Sequence, residues 1–235
     1  GISRQTLDTH IYVQKNRADM ICGADEAGRG PVLGPLVLAA VMVENDRPLR
    51  RLNVKDSKAL DPKKREELYP QIMECARVEV AVVSPEEIDA RGKDSLNDLE
   101  VQHFATLIDR LSPHTVYVDA VDVNAERFGR NICDRLDCQA TVVSCHRADA
   151  KYPVVSAASI IAKVTRDRLV WQLGRDLGEE VGSGYPNDSV TMDFLERWIR
   201  KNGTFPPQTR RSWATARKTF SKCKVTKLTD WMDKS

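Results

Sequence analysis

The chain has 235 residues, of which 41% are hydrophobic and 30% are charged, and its formal net charge is +2. This composition is typical of a folded globular protein and excludes an intrinsically disordered or fibrous chain. A nearly neutral chain gives no bulk indication of a nucleic-acid partner, so any such inference depends on where the charges lie.

The six cysteines form no C-x-x-C pair and have no zinc-ligand spacing. This pattern indicates free thiols in a reducing compartment. No N-terminal segment has the pattern of a signal peptide, and the most apolar run, residues 32–43, is too short to cross a bilayer. We therefore expect a soluble cytoplasmic protein that does not contact membranes.

The first 19 residues are polar and lack a clear period, which predicts a leader outside the fold, either native or an expression remnant. Beyond it, apolar runs of strand length occur at residues 20–24, 36–43, 77–83, 115–118 and 140–144. Helical spacing occurs at residues 63–75, 85 onward, 96–111, 125–136, 153–177 and 188–201. Alternating strands and helices predict an α/β core on a mixed sheet, closed by C-terminal helices.

Acidic residues follow two of the predicted strands. Asp25 and Glu26 come directly after the first strand, and Asp119 ends the fourth. Neighbouring residues in a strand point to opposite faces, so Asp25 and Glu26 converge only if the chain bends there. The alternative is that Asp25 begins a turn and Glu26 is solvated. A further candidate, Asp149, precedes the long helix, where an aspartate is most often a turn or N-cap residue.

Oxygen ligands from three separate segments suit Mg²⁺ or Mn²⁺ better than zinc, since no His/Cys cluster accompanies them. Four crowded carboxylates repel one another unless divalent cations neutralise them. We therefore predict a metal site formed by Asp25, Glu26, Asp119 and Asp149, with two ions during catalysis. His146 is the nearest histidine in the sequence and is a weaker candidate for a direct role.

Six segments in order make a more specific pattern. They are GADEAGRGPVLGPL at 23–36, DSK at 56–58, YVD at 117–119, DAKYPVVSAASIIAK at 149–163, GSGYPND at 182–188 and RSWAT at 211–215. Together they closely resemble the type 2 ribonucleases H, and the single-chain size is similar to that of the archaeal ribonucleases HII. The resemblance covers residues 20–220 and implies a ribonuclease H-like fold, with a five-stranded mixed sheet flanked by helices and a helical C-terminal extension.

The same resemblance implies the roles of individual residues. Asp25, Glu26, Asp119 and Asp149 are the expected catalytic, metal-binding set. Glycines allow backbone donors to approach a ligand closely, and the 2′-hydroxyl distinguishes RNA from DNA. The expected nucleic-acid contacts are Gly28, Arg29, Gly30, Lys58, Lys163, Tyr185 and Arg211. A solvated lysine for Lys58 and a turn tyrosine for Tyr185 are the plainer alternatives.

The C-terminal part is strongly basic, with ten Lys/Arg and no Asp or Glu between residues 197 and 227. This stretch predicts contact with backbone phosphates, the alternative being a solvated helix face. We divide the chain into a leader (1–19), a catalytic core (20–180), a basic helical extension (181–220) and a tail (221–235). In the tail, Leu228, Trp231 and Met232 resemble clamp-binding peptides, although the usual glutamine is replaced by Val225. A frayed terminus is the alternative.

The resemblance to the type 2 ribonucleases H implies an endoribonuclease, which we expect to be monomeric. It would cleave the RNA strand of RNA/DNA hybrids, and would cut 5′ to ribonucleotides in duplex DNA, leaving 3′-hydroxyl and 5′-phosphate ends. The second hypothesis is a non-catalytic nucleic-acid-binding or clamp-tethered module. A nucleotide enzyme built on the glycine loop is disfavoured because no G-K-[ST] follows.

Overall fold

The computed structural model describes residues 20–54 and 60–232, with side chains as far as residue 224. Within these ranges, five strands form one sheet: β1 (Ile21–Ala27), β2 (Leu36–Val43), β3 (Arg77–Val83), β4 (Thr115–Asp119) and β5 (Thr141–Cys145). The strand order is β3-β2-β1-β4-β5. The first three strands pair antiparallel, whereas β4 is parallel to β1 and β5 is parallel to β4. The predicted mixed five-stranded sheet is confirmed.

The helices of the described residues are α1 (Arg47–Arg51), α2 (Pro62–Cys75), α3 (Pro85–Ala90), α4 (Leu96–Leu111), α5 (Ala125–Cys133), α6 (Ala148–Lys151), α7 (Pro153–Leu177), α8 (Ser189–Asn202) and α9 (Ala214–Met232). The sequence signals explain most of their ends. Ser95 and Asp98 form a reciprocal capping box at the start of α4. Pro153 begins α7, and Gly178, with a left-handed backbone, ends it.

Two apolar layers cover the two faces of the sheet. Alternate side chains of β1 and β2 pack with α4 and α5 on one face, around Phe104 and Phe128. The other set packs with α1, α2 and the first half of α7. A third, smaller cluster joins Val32 and Leu33 to the C-terminal helices α8 and α9. The predicted helical C-terminal extension is therefore present and is packed on the loop that follows β1.

The observed elements differ from the predicted ones in places that matter for function. β1 runs through Ala27, so Asp25 and Glu26 lie within the strand and pair with Ala39 and Leu38 of β2. The prediction that they follow the strand is wrong, because polar residues at a sheet end can continue the ladder. Asp149 lies in the four-residue helix α6, which is too short for a periodic sequence signal.

No helix in the described part of the chain is long and apolar enough to cross a membrane. The six cysteines all fall within the described residues and are free. Helix α9 continues across residue 220, where the sequence-based division begins the tail. Residues 1–19 lie outside the described structure.

Candidate active site

Three of the predicted carboxylates lie together at one end of the sheet. Asp25, Asp119 and Asp149 each present a carboxylate oxygen, and these oxygens lie within 4.8 Å of one another. Asp25 and Asp149 are buried and Asp119 is half-buried. Residues that are 94 and 30 positions apart along the chain thus meet at one point, as the sequence predicts.

The adjoining elements explain how these side chains are positioned. Asp25 and Asp119 lie on neighbouring strands, on the sheet face that α7 covers. A Cβ on Gly23 would lie 2.2 Å from the carbonyl carbon of Val154, so only glycine lets α7 approach β1 this closely. The backbone N–H of Ala148 donates to Oδ1 of Asp119 at 3.0 Å. This bond ties α6, which carries Asp149, to the end of β4.

Stacked tyrosines reinforce the same corner. The rings of Tyr117 and Tyr152 lie 4.1 Å apart between centroids and are nearly parallel. Tyr117 is two residues before Asp119, and Tyr152 is three residues after Asp149. The stack therefore braces the two segments that bring these carboxylates together.

Glu26 is outside this group of three. Glu26 is the next residue of β1 after Asp25, and successive side chains of a strand point to opposite faces of the sheet. Its Oε2 is buried without a hydrogen-bond partner among the described residues. Burial, together with repulsion from Asp25, Glu100 and Asp119, raises the pKa of Glu26 well above its usual range. The two neighbouring carboxylates interact electrostatically, although Glu26 is not among the three residues whose oxygens lie within 4.8 Å of one another.

The donor set fits a hard divalent cation. Three buried or half-buried carboxylates whose oxygens lie within 4.8 Å of one another are electrostatically unfavourable by themselves, and Glu26 adds a buried oxygen that lacks a donor among the described residues. Oxygen-only ligands suit Mg²⁺ or Mn²⁺. The residues present can therefore hold such an ion.

The loop after β1 forms a cavity next to the end of that strand. Its volume is about 390 Å³, and it is lined by Glu26, Ala27, Gly28, Arg29, Gly30, Arg65, Ser159, Lys163 and Tyr185. Five of the seven predicted nucleic-acid contacts thus line one cavity. Lys163 is partly exposed there and forms an ion pair with Asp167 at 2.6 Å. Arg65 and Ser159, both buried, were not singled out by the sequence.

A buried arginine holds the backbone of this loop. Arg210 is fully buried and donates to the carbonyl oxygens of Gly28 (2.6 Å), Arg29 (3.0 Å) and Gly34 (3.0 Å). Burial, with repulsion from Arg166, lowers the pKa of Arg210 to about 9. The loop conformation therefore depends on a residue of the C-terminal extension.

Arg166 lies beneath the same loop. A Cβ on Gly28 would lie 2.4 Å from the Cδ of Arg166, and the φ of Gly28 is +94°, in the left-handed region. Both the close contact and the backbone conformation therefore require glycine at this position. Arg166 also donates to the carbonyl oxygens of Leu33 (3.3 Å) and Ser183 (3.0 Å). Its guanidinium carbon lies 5.0 Å from the ring centroid of Tyr185. Arg166 thus joins the glycine loop to the loop that carries Tyr185.

The Tyr185 loop is held from its other end by Asp188. This carboxylate accepts hydrogen bonds from the backbone N–H and the hydroxyl of Ser183 at 2.6 and 2.7 Å, and caps α8 through the N–H of Val190. These bonds lower the pKa of Asp188 to about 2. The negative charge of Asp188 therefore stabilises the loop.

We expect this contribution to depend on pH. The folded pKa of Asp188 is below the ordinary value of 3.8, so its stabilisation is present above about pH 4 and is lost as the pH falls toward 2. Since solvent reaches this half-buried group, we expect the charge to contribute about 1 kcal/mol. Urea unfolding of Asp188→Asn at pH 5 should show this loss, and the gap to the parent should close near pH 2. A gap that is constant with pH would contradict the assignment.

Glu100 is a fifth carboxylate that the sequence analysis missed. It is fully buried on α4, and Nη1 of Arg29 donates to its Oε2. Burial raises the pKa of Glu100 to about 7, although Arg29 opposes the shift. A signal was available, because Glu100 falls at helical spacing with the buried residues Phe104, Leu107 and Leu111.

The remaining predicted residues do not reach the cavity or cannot be placed. Arg211 is exposed, and its backbone N–H donates to Asp89 at 2.7 Å. The ring nitrogens of His146 lie 3.3 and 3.2 Å from the carbonyl oxygens of Ala120 and Val123, so His146 braces the loop after β4. Lys58 and the side chains of Leu228, Trp231 and Met232 lie outside the described residues.

The positive charge of the basic C-terminal stretch is partly neutralised by acidic residues that lie outside residues 197–227. Arg197 lies 3.6 Å from Glu179, and Arg200 and Lys222 both pair with Glu196. Arg210 is buried and unavailable to a ligand. The surface charge of this stretch is therefore smaller than its sequence indicates.

Comparisons with known proteins agree with this geometry. A family model described as Ribonuclease HII matches residues 22–216. The chain is 50% identical over 214 residues to Ribonuclease HII of Pyrococcus abyssi, covering 89% of this chain and 95% of that protein. The crystal structure of ribonuclease H2 from Pyrococcus horikoshii matches with a TM-score of 0.82 and 45% identity, covering 87% of this chain and 99% of that one.

A chain of the solved PCNA:RNase HII complex from Archaeoglobus fulgidus has a TM-score of 0.77 and 42% identity, covering 83% of this chain and 95% of that one. The matched family model spans most of the chain, including the three clustered aspartates and the glycine loop. The chain therefore belongs to the ribonuclease HII family and is a metal-dependent endoribonuclease.

Proposed function

We propose that this enzyme cleaves the RNA strand of RNA/DNA hybrids and cuts 5′ to ribonucleotides embedded in duplex DNA, leaving 3′-hydroxyl and 5′-phosphate ends. The observation that carries the proposal is the position of the carboxylate group on the strand that leads into the glycine loop. Asp25 and Gly28 are only three residues apart, and Glu26, the residue next to Asp25, lines the cavity that this loop forms. A phosphate beside the acidic group would thus have its neighbouring ribose beside the loop.

Asp25, Asp119 and Asp149, with Glu26 beside them, would hold two Mg²⁺ or Mn²⁺ ions. Such ions, when bound, lower the pKa of a water and stabilise the leaving oxygen. The protein contributes a rigid arrangement of carboxylates and, in Gly28 and Gly30, backbone that a ribose 2′-hydroxyl can approach closely. Tyr185 offers a ring against which the sugar of the next nucleotide can pack, while Lys163 can approach a phosphate.

Cleavage-site mapping tests this proposal. A duplex with a single ribonucleotide and an all-RNA strand paired with DNA would each be incubated with Mg²⁺ and with Mn²⁺. We expect cuts 5′ to the single ribonucleotide and multiple cuts in the hybrid, with 5′-phosphate ends that a ligase can join. Binding without cleavage of either duplex would instead support a nucleic-acid-binding module.

We further propose that the C-terminal tail binds a sliding clamp, because the similar protein from Archaeoglobus fulgidus was solved with PCNA. The backbone of α9 is helical through Met232, and Leu228 and Trp231, three residues apart, share one face of such a helix. Deletion of residues 225–235 should weaken clamp binding at least tenfold by calorimetry, with Trp231→Ala as the point variant and Thr229→Ala as its control. Unchanged affinity after the deletion would exclude the tail.

We also propose a cytoplasmic, monomeric enzyme. The six free cysteines support a reducing compartment. Light scattering would test the oligomeric state directly.

A further inference from the structure

The side chain of Arg29 is held by two residues of α4. Its Nη1 donates to Oε2 of Glu100, and its Nη2 donates to Oδ1 of Asn97. Asn97 and Glu100 are three residues apart and therefore lie on one face of the helix. The guanidinium group of Arg29 thus meets two acceptors that one rigid element presents together.

The burial of Glu100 indicates that this contact is more than a surface ion pair. Glu100 is fully buried, whereas the side chain of Arg29 is 35% exposed. A buried carboxylate is costly, and apolar residues of similar volume can often replace buried ion pairs without loss of stability. In the described structure, Glu100 accepts a hydrogen bond from Arg29. Holding Arg29 therefore explains why a carboxylate is buried at this position.

Asn97 also lies near the loop that follows Asp119. Hydrogen bonds from Arg127 and from the backbone N–H of Asn124, with a smaller contribution from Asn97, lower the pKa of Asp122 in that loop. Asn97 therefore adjoins both the Arg29 side chain and the segment that follows β4.

The glycine loop is therefore fixed from two sides. Arg210 holds the carbonyl groups of Gly28 and Arg29 from the C-terminal extension, while α4 holds the Arg29 side chain. With both contacts made, Gly30 remains open toward the cavity, where the nearest atom to a Cβ at this position would be in the Tyr185 ring at 3.8 Å.

We infer that Glu100 and Asn97 are positioning residues, which fix Arg29 and through it the orientation in which residues 28–30 meet a ribose. This inference rests on the proposed recognition of embedded ribonucleotides. A duplex with one ribonucleotide offers a single correct register, whereas a hybrid offers a ribose at every position. Loss of the positioning contacts should therefore reduce cleavage of the single-ribonucleotide duplex more than that of the hybrid.

The test is a double-mutant cycle with kcat and KM measured on both substrates. Glu100→Gln keeps the shape but loses the charge, and Glu100→Leu removes both acceptors. We expect kcat/KM on the single-ribonucleotide duplex to fall about tenfold for Glu100→Gln and further for Glu100→Leu, which corresponds to the coupling expected of residues in contact. Adding either change to Arg29→Ala should cause no further loss, because Glu100 acts through Arg29.

A purely structural role would give a different result. It predicts lower stability and an equal loss on both substrates, whereas we expect Glu100→Leu to unfold at the parent temperature or above it. Glu86→Gln, an exposed change on α3, should leave both rates unchanged. Parent-like selectivity in both Glu100 variants, or losses that add to those of Arg29→Ala, would overturn the inference alone. A parent enzyme that cuts hybrids but never single ribonucleotides would overturn it together with that part of the proposed function.

Discussion

Replacing Asp25 by asparagine is expected to abolish hydrolysis while making the metal-free protein more stable. Asp25, Asp119 and Asp149 place carboxylate oxygens within 4.8 Å of one another, so removal of one charge relieves repulsion. The free energy of unfolding should rise by about 1–2 kcal/mol, because active-site residues are commonly retained for function at a cost in stability. Hydrolysis should fall by about 10³-fold or more, since several kcal/mol of charge stabilisation depend on the missing ligand.

Thermal unfolding with and without Mn²⁺ measures both effects. Mn²⁺ should raise the unfolding temperature of the parent by mass action, and much less that of Asp25→Asn. The control is Asp193→Asn, an exposed change on α8, which should match the parent in activity and in its response to Mn²⁺. A variant that retains activity, or one that is destabilised without metal, would argue against a mutually repelling metal-binding group.

Replacing Arg210 by methionine is expected to damage both the fold and the activity. The change leaves the carbonyl oxygens of Gly28, Arg29 and Gly34 without the donors that Arg210 supplies. Each buried acceptor left unsatisfied costs about 1–3 kcal/mol. Relief of the repulsion between Arg210 and Arg166 offsets part of this loss, so we expect the free energy of unfolding to fall by about 2–4 kcal/mol.

The same change should lower kcat/KM at least tenfold, by about 1.4 kcal/mol of transition-state stabilisation, at temperatures where the variant remains folded. Urea unfolding and steady-state cleavage would be measured together. Arg210→Lys should recover only part of the stability, because an ammonium group cannot reach three carbonyls in the way a planar guanidinium does. Arg217→Met alters an exposed arginine of α9 and serves as the stability control. Normal stability in Arg210→Met would show that the carbonyl groups find other donors.

Much of the fold could be predicted because the apolar periods are strong. The strand at residues 36–43 and the helix at residues 153–177 have the predicted bounds. Asp119 was placed at the site because it ends a buried strand, and the sheet brings that end beside β1. Position within a regular element is a local property, and local properties can be read from one sequence.

The parts that could not be predicted depend on tertiary contacts. Arg210 and Arg211 are adjacent and chemically identical, yet only Arg210 is buried. Thr209, the residue before Arg210, pairs through its backbone with Leu33. This pairing sets which of the two arginines turns inward, and Leu33 is far from both of them in the sequence. The end of β1 was predicted too early for a related reason, because whether the strand continues through Asp25 and Glu26 depends on its pairing with β2.

Helix α7 has a consequence for how the enzyme meets its substrate. One uninterrupted helix of 25 residues packs against β1 at its start, contributes Arg166 beneath the glycine loop, and contacts the C-terminal extension through Val170. A helix of this length, roughly 37 Å, is continuous and has no break at which its two halves could turn against each other. The carboxylate end of the sheet, the glycine loop and the C-terminal extension therefore share one support, and we expect them to keep their relative positions when a duplex binds.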